Sequence, residues 1–355
     1  MDTGVLSSMR SRDRHTIIVG GGVIGVCCAY FLAKRGARVT VLERDQIGKG
    51  ASYGNAGSIA PGHPPINKPG RVRQALKSLF DPLSPLYVAP RPDPALAKWL
   101  WAFRRTCTDR HVELCMRTLA PLGHATRELF DELVETEKLE CCFRRDGYSE
   151  IYLTERGLES ARKEASVISR YGFHPDVMPG GALRECEPAI NGRVVGGIFH
   201  PEAATINPYH FVLEMAKRAE RYGAELRTGT QVVTLWTMDR KVRGVQTQNG
   251  ELMEADSVVV AGGGCLQHAA HPGAWRKLPF AAGEGLSPRL RIRGGQASAS
   301  AARLRARGEH GILHTHGRVC ALRRDTRVLG GESRDQAPAS GTAHERVQSI
   351  FDNHG

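Results

Sequence analysis

The sequence predicts an α/β protein: a Rossmann-like nucleotide-binding domain with a second, α+β domain. Three observations carry this. A short apolar strand, Thr16 to Val19, runs straight into Gly20-Gly21-Gly22-Val23-Ile24-Gly25. A helical stretch, Val26 to Arg35, follows; Gly36 stops it, and a second strand, Arg38 to Leu42, ends on Glu43. Much later a buried strand, Asp256 to Ala261, enters another glycine run, Gly262-Gly263-Gly264.

The first run satisfies G-x-G-x-x-G at Gly20, Gly22 and Gly25. Gly20 allows the tight turn, Gly22 lets backbone approach a pyrophosphate, and Gly25 lets helix pack close to strand. The helix N-terminus offers N–H groups and a positive dipole end to phosphates. A glycine run alone is weak evidence; here the strand, the helix and an acid about 20 residues on supply the confirming context. Glu43 can accept both hydroxyls of a ribose, and it would repel a 2′-phosphate, which favours NAD or FAD over NADP.

With 355 residues the chain holds one large or two medium domains, and 41% apolar residues suffice for a core. No apolar run approaches the ~18 residues of a membrane span. Residues 1–14 lack an apolar signal-peptide core and read as a disordered extension, so the expected location is cytoplasmic. Nine cysteines, with pairs at Cys27-Cys28 and Cys141-Cys142 and no C-x-x-C, suggest buried thiols rather than disulfides or a zinc site. A formal charge of +12 raises the question of nucleic acid, but the basic residues are scattered and no recognition motif appears.

Gly48 to Gly62 is too rich in Gly, Ser and Asn for a regular element, as suits a loop closing over a cofactor. Residues 63–95 are Pro-rich and irregular. From Pro94, Leu96, Trp99, Leu100 and Phe103 recur at helical spacing. A second helix, about Val112 to Glu137, carries Leu129, Phe130, Leu133 and Val134 on one face. Strands are expected at Gly147–Leu153 and Val194–Phe199, with a helix between them around Glu155–Tyr171. Pro208–Tyr222 reads as a helix, Glu225–Arg227 and Gln231–Trp236 as strands, and Asn249-Gly250 as a hairpin turn.

The loop residues Ser52, Asn55, Ala56, Gly57, Ile59, Pro61 and Gly62 form S-x-x-N-A-G-x-I-x-P-G. Downstream of Gly20–Gly25 and Glu43, this resembles the flavin-contacting loop of the FAD-dependent amine and D-amino-acid oxidoreductases. The family includes glycine oxidase, sarcosine oxidase and the small subunit of bacterial D-amino-acid dehydrogenase, and the pattern is most similar to the dehydrogenase branch. The resemblance implies FAD as cofactor. It implies contacts from Gly20, Gly22, Val23, Ile24, Gly25, Glu43, Arg44, Ser52, Asn55, Ala56, Gly57, Val232, Ala261 and Gly263, with Ser52, Asn55 and Gly57 against the flavin side. Val232 reads equally well as a plain β-core valine. The implied division is an FAD-binding domain over 15–85 and 191–275, and a substrate domain over 86–190 and 276–335.

The implied reaction is oxidation of the C–N bond of a D-amino acid to a 2-oxo acid and ammonia, with electrons passing to a respiratory quinone or to oxygen. The helix from Pro94 then reads as core packing or as a peripheral membrane contact. No catalytic residue is singled out and no metal is expected: His314 and His316 stand two apart on a strand, as solvated residues often do. Arg323 is the candidate clamp for the substrate carboxylate. The alternatives are a glycine or sarcosine oxidase-type enzyme and an inactive flavoprotein remnant.

The resemblance weakens toward the end. Glu284 and Leu286 replace the Lys and Tyr of the family's P-x-x-x-K-G-Y element, and residues 288–310 are Arg, Ala, Gly and Ser rich and expected to be irregular. Gly311–Glu332 resembles two substrate-domain strands, and a helix is expected over His344–Asn353. From Ala281 on there are twelve Arg and no Lys, Trp or Tyr. The family's closing segment is not recognisable, so 336–355 reads as a truncated tail and the chain is expected to be a poor catalyst.

Overall fold

The computed structural model describes residues 14–53, 55–72, 94–186, 190, 192–239 and 241–263, and the backbone of 303–308 and 311–314. The expected extension before Arg14, the stretch 264–302, Arg323, the helix over His344–Asn353 and the tail 336–355 lie outside these residues. The chain divides into two compact units. One holds Met1–Gly57, Leu133–Cys141 and Asn207–Gly283; the other holds Ser58–Glu132, Cys142–Ile206 and Glu284–Gly355.

The first unit is built on β1 (His15–Val19), α1 (Val23–Lys34) and β2 (Arg38–Leu42), joined by α6 (Pro208–Arg221), β8 (Glu225–Arg227) and β12 (Ser257–Val260). Its four strands are ordered β12-β1-β2-β8, and every neighbouring pair is parallel. Strands 16–19, 38–42 and 256–261 thus share one parallel sheet, as expected. Side chains alternate across β1 with the period of two that strands impose. Ile17 joins a core with Leu42, Leu235, Val245 and Met253, whereas Ile18 lies beside Gly25 of α1. The Ile17 side is closed by an antiparallel sheet of β9 (Val232–Met238), β10 (Lys241–Thr247) and β11 (Leu252–Glu254). Asn249-Gly250 lies between β10 and β11, where the hairpin is expected. The other face is covered by α1 and α6, which pack together. Asn207 caps α6 through Oδ1, which accepts from the N–H of Tyr209 and of His210.

In the second unit α2 (Pro94–Thr106) and α3 (Asp109–Thr136) precede β4 (Tyr148–Tyr152), α4 (Glu155–Ser169), β5 (Asp176–Pro179), α5 (Gly180–Cys186) and β6 (Gly196–His200). Residues 133–136 of α3 count with the first unit. A mixed five-stranded sheet runs β14-β13-β4-β6-β5, with β13 at Arg303–Gly308 and β14 at Gly311–His314. Tyr152 and Ile198 pack against Leu158, Ala161 and Ala165 of α4. Ile151 packs oppositely, against Leu183, Ile190 and Val194. Two short strands, β3 (Ser58–Ile59) and β7 (Ala204–Thr205), pair with each other. No described helix is long and apolar enough to cross a membrane.

Several elements differ from expectation. Helix α1 begins at Val23 rather than Val26, because Gly25 already sits inside its first turn. The expected boundaries at 85/86 and 190/191 become 57/58 and 206/207. The cause is pairing: β6 bonds both β4 and β5 in the five-stranded sheet, and β7 bonds β3 in a separate two-stranded one, so both strands between 194 and 206 pair within the second unit. Along α3 the buried residues are Val112, Met116, Ala120 and Leu133, while Leu129 is exposed. Residues 303–308, expected to be irregular, form β13 between β4 and β14. The charged/apolar alternation Arg303-Leu304-Arg305-Ala306-Arg307 is submerged in an Arg/Ala-rich composition, and partner strands decide its conformation.

Candidate functional site: a nucleotide cradle at the N-terminus of α1

The carboxyl ends of parallel strands are where open α/β sheets place ligands, and in the first unit the candidate residues gather at that end. Gly20 follows β1 with φ of +110°, and its N–H donates to Leu42 O at 2.8 Å. The end of β12 returns to it: Ala261 N–H donates to Val19 O at 2.7 Å, and a Cβ on Gly20 would stand 2.6 Å from Ala261 O. Only glycine fits this turn. A Cβ on Gly25 would overlap Gly20 O, so the third glycine of the motif sets how closely α1 follows β1.

The first N–H groups of a helix have no partner inside it. Gly22, the N-cap of α1, has no side chain to serve them, and the first turn carries no acid. Ser52 supplies a cap from 29 positions away, its Oγ accepting from Val23 N–H at 3.0 Å. It is 6% exposed. Asn55 folds its own loop: Nδ2 donates to Ala51 O and Ser52 O, each at 3.3 Å, and Oδ1 accepts from Gly57 N–H at 2.9 Å.

Glu43 holds the far side of the turn. Its Oε2 accepts from Gly21 N–H at 2.6 Å and its Oε1 from Asp45 N–H at 3.0 Å. A carboxylate offers about four acceptor positions, so both oxygens keep capacity for hydroxyl donors. The backbone leading to Val232 runs beside it, with Thr230 N–H donating to Glu43 O at 2.9 Å. The Val232 side chain itself is half-buried against the Leu235, Val245 and Met253 core. Sequence reasoning passed over Gly21 and Thr230, because both act through backbone groups that no side-chain pattern marks.

Other candidates are less engaged. Ile24 is 65% exposed, Arg44 is half-exposed with Nε 2.9 Å from Asp45 Oδ2, and Ala56 is half-buried. Gly263 is exposed with φ of +75°. Arg323 lies outside the described residues. On α1, burial and then neighbouring Cys28 push the Cys27 thiol up to about 12, so it is no thiolate nucleophile. Among the described residues no group of three or more His, Cys, Asp or Glu is arranged to hold a metal ion.

The cradle fits a dinucleotide. A Cβ on Gly22 would meet only Ser52 Oγ, at 3.5 Å, so the backbone there faces open space. That opening, a helix dipole without acidic side chains in its first turn and a carboxylate on the ribose side are what an adenine dinucleotide requires.

Comparison with known proteins agrees. The model of a family described as FAD dependent oxidoreductase matches residues 15–353, continuing through the region where recognisable motifs fade. D-amino acid dehydrogenase of Methylobacterium nodulans is 32% identical over 255 residues, 70% of this chain and 60% of that protein. The D-amino acid dehydrogenase of Methylobacterium radiotolerans is 32% identical over 253 residues, with the same coverage. The chain therefore spans 60% of the length of these relatives. L-amino acid deaminase from Proteus vulgaris shares the fold at a TM-score of 0.50 and 19% identity, over 71% of this chain and 48% of that one. With the glycine turn, the acid at the end of β2 and the capping loop assembled on one parallel sheet, and a family match over most of its length, this chain belongs to the FAD dependent oxidoreductase family.

Proposed function

We propose that the chain carries the FAD site of an enzyme that oxidises the C–N bond of a D-amino acid. The observation that carries this reading is the cradle at α1, where Gly20–Gly25, Glu43 and Ser52 converge, in a chain 32% identical to proteins named D-amino acid dehydrogenase. In this reading the first unit holds the nucleotide and the second is the substrate domain. Gly22 and the N–H groups of the first turn receive the pyrophosphate, and Glu43 accepts ribose hydroxyls. Ser52 and Asn55 hold the loop leading toward the flavin. Arg323 is proposed to pair with the substrate carboxylate. FAD, when bound, supplies a two-electron acceptor, so that the amine becomes an imine that water hydrolyses to a 2-oxo acid and ammonia.

The electron acceptor is proposed to be a respiratory quinone reached at a membrane surface. On α2, Trp101 is 59% exposed with the Arg105 guanidinium 4.7 Å from its ring, and Arg104 is adjacent. This basic aromatic face suits an anionic bilayer interface.

The visible absorption spectrum tests the cofactor reading. The wild-type chain should purify or reconstitute with two flavin bands. Gly22→Val should lose them, because its methyl groups fill the pyrophosphate approach. Glu43→Ala should weaken FAD binding by about 1.5–3 kcal/mol, the range for a hydrogen bond to a charged group. Unchanged flavin content in both variants refutes the site. Dye reduction with D- against L-amino acids then tests the substrate, and oxygen consumption tests the acceptor.

A further inference from the structure

The loop Ile47–Gly57 leaves β2 and turns back so that Ser52 reaches the first turn of α1. Its described residues form no regular strand or helix to keep it there. Gly48 N–H donates to Gly21 O at 2.9 Å, and Asn55 stiffens the far end. Between them lies Lys49, whose Nζ is 4.4 Å from the centroid of the Tyr53 ring and 4.9 Å from that of Tyr209. The two rings meet edge to face, 5.1 Å apart at 84°. Tyr209 belongs to the first turn of α6, where Asn207 Oδ1 accepts its N–H. Gly48 presses on the same place: a Cβ there would stand 3.2 Å from the Tyr209 ring and from Val212.

We infer that Lys49, Tyr53 and Tyr209 are positioning residues of the nucleotide site, a latch that ties loop 47–57 to α6 and so keeps Ser52 on the Val23 amide. The inference rests on the FAD reading above. An ammonium between two aromatic faces is attracted by both ring quadrupoles, and edge-to-face packing holds the rings at the required angle. Neither tyrosine need touch the cofactor. Each acts by lowering the number of loop conformations that must be lost when the nucleotide binds, the usual benefit of preorganisation. The competing role for Lys49 is direct pairing with the pyrophosphate.

The test uses the 355-residue chain stripped of flavin, with FAD affinity read by quenching of flavin fluorescence and loop closure by the rate of trypsin cleavage after Lys49. Lys49→Met and Tyr209→Leu should each weaken FAD by about fivefold, the scale of one or two exposed cation–π contacts. The double variant should bind no more weakly than about the worse single, because either change alone already opens the same latch. Lys49→Arg and Tyr209→Phe should bind like wild type, since guanidinium and phenyl preserve the interaction. Without cofactor, trypsin should cut after Lys49 about fivefold faster in Tyr209→Leu than in wild type or Tyr209→Phe. Loss with Lys49→Met but not with Tyr209→Leu overturns the latch in favour of a phosphate contact. Additive losses, wild-type affinity in all variants, or equal cleavage rates overturn it outright. A wild-type chain that binds no FAD defeats the cofactor reading and the positioning role with it, and unequal cleavage would then show that only the loop contact survives.

Discussion

The two units place their polar groups differently. In the first, the groups that converge at the sheet end are mainly backbone N–H and C=O of Gly20, Gly21, Val23, Thr230 and Ala261, tuned by two side chains, Glu43 and Ser52. In the second, the polar groups are side chains within the sheet itself. Glu150 of β4 is 3% exposed, and its Oε2 accepts from Tyr152 hydroxyl at 2.6 Å. The Tyr148 hydroxyl bonds His63, whose Nε2 lies 3.9 Å from Glu150 Oε1, and the Tyr148 ring stacks on His200 at 4.8 Å. His63, Glu150, Tyr152 and His200 line a pocket walled by Ala161, Ala165 and Ile198. The difference teaches where each unit is vulnerable. The first should fail when a side chain is added, and the second when one is removed.

The largest effect is expected from Gly25→Val. Its Cβ would overlap Gly20 O, so the strand-to-helix turn must move. We expect at least 3 kcal/mol of lost stability in urea unfolding, typical of strain at a closely packed backbone site, together with loss of FAD binding. A variant that folds and binds normally would erase the contrast from the first unit's side.

Next comes Glu150→Ala. It removes the carboxylate that accepts from the Tyr152 hydroxyl and opens a cavity beside Ile198. The expected cost is about 3 kcal/mol, with FAD affinity retained once folded because the first unit is untouched. Equal loss of stability and of FAD affinity would mean that the two polar centres act as one, and the contrast would fall.

The smallest effect concerns pH. Glu137 accepts from Tyr30 hydroxyl at 2.5 Å, from Lys34 Nζ at 3.0 Å and from Tyr222 hydroxyl at 3.3 Å. Burial acts to raise its pKa, but these donors and the Lys34 charge prevail and hold it below the usual carboxylate range. A depressed folded pKa contributes stability that is present above the unfolded value and lost as pH falls through the folded one. Between about pH 5 and pH 3, wild type should therefore lose on the order of 1 kcal/mol more than Glu137→Gln. Parallel acid limbs in chemical denaturation would remove Glu137 from the account.

The sequence by itself determined the parallel sheet of the first unit. Apolar β1, the glycine turn, α1 and β2 follow in one local run, and each signal depends on residues close in the chain. It also marked Glu43, through the spacing of a short motif, and Ser52, through the loop pattern that carries the family resemblance. Only the tertiary structure showed what they bond: Gly21 N–H for one, Val23 N–H for the other. The Glu150 cluster was not legible, since Tyr148, Glu150 and Tyr152 look like an ordinary amphipathic strand until His63 and His200 are brought to them from 85 and 52 positions away. Likewise β13 exists because β4 and β14 flank it. Local periodicity reports which residues share a face. What that face meets is set by chain closure over long separations, where hydrogen bonds and packing, rather than spacing, select the partner.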